Sequence, residues 1–234
     1  MSDNLALITG ASKGIGQAIA LALASEKLEI VVTARNEQRL RAVIDEIKKQ
    51  GGHSSYIPAD LSEPDQLQQL VDDLKRKNGK LDLLVHSAGI AHVAPAAELP
   101  PAQWQETIAV NLTAPFLLTQ KCLPLLQKGS QIIFINSVAG KSAFPEWSAY
   151  CAAKAGLRAY ADVLRQEVRE RGIRVTTIFP SSVDTEMHDR MPYDWDRKKM
   201  LRAEDVARVV VYCYRQPQGV VIKEIDVESS AGVF

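Results

Sequence analysis

Leu5-Ala6-Leu7-Ile8-Thr9, then Gly10-Ala11-Ser12-Lys13-Gly14-Ile15-Gly16, then Gln17 to Ser25: this opening stretch decides the fold. A short apolar run, a glycine turn and an Ala/Leu/Ile-rich segment predict a buried strand, a tight turn and a helix. That order forms the entrance to a dinucleotide site. Glycine adopts backbone angles closed to other residues, and without a side chain it lets a pyrophosphate reach the main chain. The free amides at the helix start then face the phosphates. The spacing is Thr-Gly-x-x-x-Gly-x-Gly, distinct from the commoner Gly-x-Gly-x-x-Gly.

Outward from this unit, strand and helix patterns alternate to the C-terminus. Strands are expected at Glu29–Ala34, Ser54–Ala59, Leu81–His86, Gln131–Asn136, Ile173–Phe179 and Val220–Val227. Helices are expected from Asn36, a cap, to about Gln50, where Gly51-Gly52 stops the pattern, and from Glu63 to about Lys77, with Ser62 as cap. Pro101 to about Gln127 reads as one long helical stretch with Pro115 and Pro124 as bends; Glu146–Arg171 and Ala203–Arg215 are the remaining helices. The alternation predicts a single α/β domain over 1–234: a doubly wound parallel sheet of about seven strands with helices on both faces, Rossmann-like.

Composition narrows the classes of function. Lys+Arg and Asp+Glu are 28 each, so no net charge draws the chain to nucleic acid or to an anionic membrane. No apolar run approaches the length of about 18 residues that a membrane span needs. Cys122, Cys151 and Cys213 are far apart and odd in number, which suits reduced thiols and a cytoplasmic protein. The His and Cys residues show no metal-ligand spacing, so no metal is expected.

In a parallel sheet, ligands lie beyond the carboxyl ends of the strands. Arg35, Asp60-Leu61, Ala88-Gly89, Ser137 and Pro180-Ser181 follow successive strands there. Tyr150 and Lys154, four apart on an expected helix, share a face. An ammonium beside a phenol favours the phenolate, so the spacing predicts a lowered Tyr150 pKa and proton exchange near neutrality.

Thr9-Gly10-x-x-x-Gly14-x-Gly16, Asp60, Ala88-Gly89, Asn111, Ser137 and Tyr150-x-x-x-Lys154 stand in the order and spacing of the short-chain dehydrogenase/reductase family. The chain resembles that family from Leu5 to about Thr185. The resemblance implies that Tyr150 is the general acid/base, that Ser137 holds the substrate oxygen, and that Lys154 tunes Tyr150 and binds the nicotinamide ribose. It implies that Asn111 steadies a water in a relay to Lys154. Expected cofactor contacts are Gly10, Ser12, Lys13, Gly14, Ile15, Gly16, Arg35, Asp60, Leu61, Ala88, Gly89, Tyr150, Lys154, Pro180, Val183 and Thr185. The chain departs from the family at His86-Ser87-Ala88-Gly89, where Asn-Asn-Ala-Gly is common, and at Pro180-Ser181, where Pro-Gly is common.

The expected cofactor is NADP(H). A carboxylate at the end of strand 2 would repel a 2′-phosphate, but Thr33-Ala34-Arg35 stands there, with Lys13 in the glycine turn. The reading is an NADPH-dependent carbonyl reductase or alcohol dehydrogenase acting on a small molecule. A 3-oxoacyl-[acyl-carrier-protein] reductase is the alternative, on the strength of Lys128 and Arg171, with a non-catalytic NADP-binding sensor behind it. The two long helices suggest a homodimer or homotetramer. The irregular segment from about 181 to 201, with Met187, His188, Met191, Tyr193 and Trp195, is expected to cover the substrate.

Overall fold

The structure, a computed structural model, describes residues 4–77 and 79–232. Seven parallel strands form one sheet in the order β3-β2-β1-β4-β5-β6-β7. They are β1 Leu5–Thr9, β2 Glu29–Thr33, β3 His53–Tyr56, β4 Leu81–His86, β5 Leu126–Ile135, β6 Arg174–Pro180 and β7 Glu224–Val227. The helices are α1 Gly14–Ala22, α2 Glu37–Lys49, α3 Pro64–Lys77, α4 Pro101–Ile108, α5 Ala114–Cys122, α6 Ser148–Glu167 and α7 Ala203–Tyr214. The strand order reverses between β1 and β4, so the crevice for a ligand opens above that pair.

The pleat divides the core. Ala6 and Ile8 of β1 join α1, α2 and α7 on one face, while Leu5 and Leu7 join α3, α5 and α6 on the other. A strand that is apolar on both faces reads as a continuous hydrophobic run, which is how Leu5–Ile8 reads. Asn36 caps α2 by accepting the Arg39 amide at 2.9 Å, and Gly51 ends the following turn at φ 82. Buried Arg174, at the start of β6, donates to the carbonyls of Cys213, Tyr214 and Gln216 and so closes the C-terminal end of α7.

Three expectations need correction. The stretch from Pro101 is not one helix bent at its prolines: it widens by one residue in a π-turn at Ala109–Thr113, and Leu126 and Gln127 already belong to β5. Pro115 and Pro124 sit in the first turns of new segments, where a missing N–H is harmless. The last strand begins at Glu224; Val220 and Val221 are exposed and outside the sheet. β3 stops at Tyr56, just ahead of Ile57-Pro58.

Candidate active site

The glycine turn packs hard against the end of β4. Gly10 has φ 65, and a Cβ there would stand 2.6 Å from Ala88 Cα; at Gly16 it would stand 2.5 Å from the Gly10 carbonyl oxygen. Thr9 Oγ1 accepts the amides of Ser87 and Ala88 at 3.0 and 3.2 Å and donates to Val85 O at 3.3 Å. The strand ends on either side of the switch are thereby fixed to each other. No side chain caps α1, and its first turn holds no acid. Its leading amides are therefore open to an anion, as a pyrophosphate requires.

Two connected cavities occupy this edge of the sheet. The outer groove, of about 700 Å³, runs along the expected contacts Gly10, Ser12, Lys13, Gly14, Ile15, Gly16, Arg35, Asp60, Leu61, Ala88, Gly89 and Thr185. The inner cavity, of about 170 Å³, holds Ser137, Tyr150, Lys154, Pro180 and Val183. Ile15, Ser87, Gly89, Thr185, Met187 and Met191 line both.

At the outer end the cations are partly held by the protein itself. Lys13 Nζ meets Glu186 Oε2 at 2.9 Å, and Arg39 Nη1 meets Glu186 Oε1 at 2.9 Å. Arg35 lies 3.6 Å from Asp60, which also accepts the amide and hydroxyl of Ser62. Arg39 and Glu186 went unnoticed in the sequence. Arg39 follows Asn36 by three residues and shows as an ordinary helical charge, and its partner is 147 residues away.

At the inner end the side chains are buried. Tyr150 is 8% exposed and Lys154 is 4%. Burial pushes the Tyr150 phenol up to about 12, against the pull of a hydrogen bond with Ser137. This reverses the expected lowering. Lys154 Nζ donates to Ile135 O at 3.0 Å and stands 5.6 Å from the centre of the Tyr150 ring. Burial in turn pulls Lys154 down to about 8.

Asn111 sits inside the π-turn. Its Oδ1 accepts the Ile90 amide at 2.9 Å and its Nδ2 donates to Ile90 O at 2.7 Å. It braces the loop after β4, and its carboxamide lies 3.1 Å from where a Cβ on Gly89 would be. Asn136, not singled out in the sequence, ties the end of β5 to α6: Nδ2 donates to Lys154 O at 3.1 Å while Oδ1 accepts the Ser137 amide at 2.9 Å. Phe144 and Trp147 join the inner wall from the loop before α6, and neither was foreseen.

Two groups of residues lie outside the site. His86 is packed against Phe134, with ring centres 4.8 Å apart, and bonds Thr119; burial pushes it down to about 3. Lys128 and Arg171 sit where β5 and β6 begin, at the opposite end of the strands, and Arg171 donates to the carbonyls of Leu123 and Leu126. In the segment from 181 to 201, Met187, His188, Met191 and Trp195 do line the inner cavity, whereas the Tyr193 hydroxyl bonds Glu146.

A family model for the short-chain dehydrogenases matches residues 4–194. This chain is a short-chain dehydrogenase. The dehydrogenase is 33% identical over 231 residues to an uncharacterized oxidoreductase of Staphylococcus saprophyticus, covering 97% of each chain. It is 36% identical over 194 residues to a 3-oxoacyl-[acyl-carrier-protein] reductase of Synechocystis, covering 82% of this chain and 78% of that one. Among solved structures it resembles an alcohol dehydrogenase of the archaeon Thermococcus sibiricus complexed with 5-hydroxy-NADP, with TM-score 0.91, 26% identity and 97% of each chain covered. Among its described residues no helix is long and apolar enough to cross a membrane.

Proposed function

We propose that the dehydrogenase is an NADPH-dependent reductase that converts a small carbonyl compound to an alcohol. The observation that carries this reading is the meeting of Ser137, Tyr150 and Lys154 in one cavity that opens directly into the glycine-lined groove. Bound NADPH supplies the hydride. Lys13, Arg35 and Arg39 would face its 2′-phosphate, the α1 amides its pyrophosphate, and Lys154 its nicotinamide ribose.

The chain's own groups handle the proton. Ser137 Oγ donates a hydrogen bond to the carbonyl oxygen and holds it against Tyr150. With its pKa near 12, the Tyr150 phenol is fully protonated at neutral pH, which is the form an acid needs for reduction. The Lys154 ammonium, 5.6 Å from the ring, stabilises the phenolate left behind. Asn136 and Asn111 act on geometry, by locking the Ser137 turn and the loop after β4. A non-catalytic sensor has no need of this set. Phe116 and Val163, apolar and exposed on α5 and α6, would be covered in a homodimer, and a light-scattering mass of 25.7 kDa would remove that part of the reading.

Oxidation of NADPH against a panel of ketones and aldehydes tests the activity. In Tyr150→Phe we expect kcat to fall by about 10²- to 10⁴-fold, with NADPH affinity kept within about twofold. A rate near that of wild type would end the assignment.

A further inference from the structure

The walls of the inner cavity carry more information than the reaction alone requires. Phe144, Trp147, Met187, Met191 and Trp195 supply aromatic and thioether surface. Trp147 sets its edge against Tyr150, with ring centres 5.5 Å apart and planes at 70°. A second ring backs it: Tyr193 lies nearly parallel to Trp147, at 7° and 6.5 Å, and is itself tied to Glu146 through its hydroxyl. The indole beside the acid is therefore held in place before any ligand arrives, and such preorganisation favours a flat partner.

Charge points the same way. No Asp, Glu or Arg lines this cavity among the described residues, and Lys154 is the one ionised group on it. That ammonium is 4% exposed and bonded to the Ile135 carbonyl, so it does not stand free on the wall. His188 is kept neutral by burial and by the nearby Arg197. A carboxylate, phosphate or ammonium brought inside would lose water and meet hydroxyls but no free opposite charge. The polar groups the wall does offer are uncharged. They include the hydroxyls of Ser137, Tyr150 and Ser181.

We propose that the substrate is an uncharged aromatic ketone or aldehyde, whose ring lies beside Trp147 while its carbonyl reaches Ser137 and Tyr150. This rests on the carbonyl-reductase reading above and names its substrate class.

The test is a matched series given to the full-length protein with saturating NADPH: ethyl benzoylformate, the benzoylformate anion, and ethyl cyclohexylglyoxylate. The neutral aryl ester should exceed the anion in kcat/KM by on the order of 100-fold and the cyclohexyl ester by about 3- to 10-fold. Trp147→Leu should bring the phenyl-to-cyclohexyl ratio close to one and leave NADPH affinity unchanged, while Trp147→Phe keeps the preference. Reduction of the anion within tenfold of the ester, parity of the two esters in the wild type, or an unchanged ratio in Trp147→Leu would overturn the proposal. If no carbonyl compound is reduced, the reductase reading fails separately. Binding of the same three compounds in the presence of NADP, followed by tryptophan fluorescence, then decides: the ranking stated above upholds the pocket, and any other ranking overturns it.

Discussion

The two ends of the groove hold charges under opposite conditions. At the outer end Lys13, Arg39 and Glu186 have side chains 39%, 47% and 47% exposed. At the inner end Lys154 is 4% exposed and has one carbonyl for company. Water screens the outer charges, so they can be rearranged at little cost when a ligand comes. The inner charge is held against its own desolvation, which lowers Lys154 and raises Tyr150. One end selects by charge and the other does chemistry because these environments differ, although both use lysine.

Replacing the buried lysine should break the comparison most visibly. Lys154→Met should lower the reduction rate by about 100-fold or more. It should also stabilise the fold, on the order of 2 kcal/mol at pH 7, once the lost bond to Ile135 is set against relief of the buried charge. The sign of the pH dependence follows from the lowered pKa. Between about 8 and 10.5 the unfolded chain still holds the Lys154 proton while the folded one has released it, so wild-type stability gains with rising pH from this residue. The advantage of Lys154→Met over wild type is therefore full below pH 8 and shrinks towards pH 10.5. Urea unfolding across that range checks it, and a variant less stable than wild type at pH 7 would contradict it.

The outer end should respond more gently. Arg39→Ala should raise the Kd for NADPH by about 3- to 10-fold, leave that for NADH unchanged, and lose much of the difference at high salt. Titration with both cofactors at two salt concentrations measures this. Smallest of all is Glu186→Gln: although the carboxylate holds two cations, the urea midpoint should not move measurably, because exposed pairs contribute little.

The sequence made the inner chemistry legible and left its environment unread. Tyr150 and Lys154 can be paired from their spacing alone, since a helix brings residues four apart together. Their proximity suggested a lowered phenol pKa, but burial wins, and burial depends on Phe144, Trp147 and the segment from 181, which meet only in the fold. Asp60, Ala88 and Gly89 were found because they follow strands. Arg39 and Glu186 were missed because neither has a local pattern to mark it. Arg174, the one charge in β6, carries no local sign that the end of α7 is brought against it.

The π-turn at Ala109–Thr113 has the logic of a phase shift. A helix advances by about 100° per residue, so one extra residue turns everything beyond it by about that angle relative to what precedes it. That is how a nearly continuous stretch presents α4 to α6 and then α5 to α3. The surplus residue thus acts as a hinge pin cut into the chain's own numbering: remove one residue there, and α5 would keep its composition but turn its apolar stripe away from Leu67, Leu70 and Leu74 of α3.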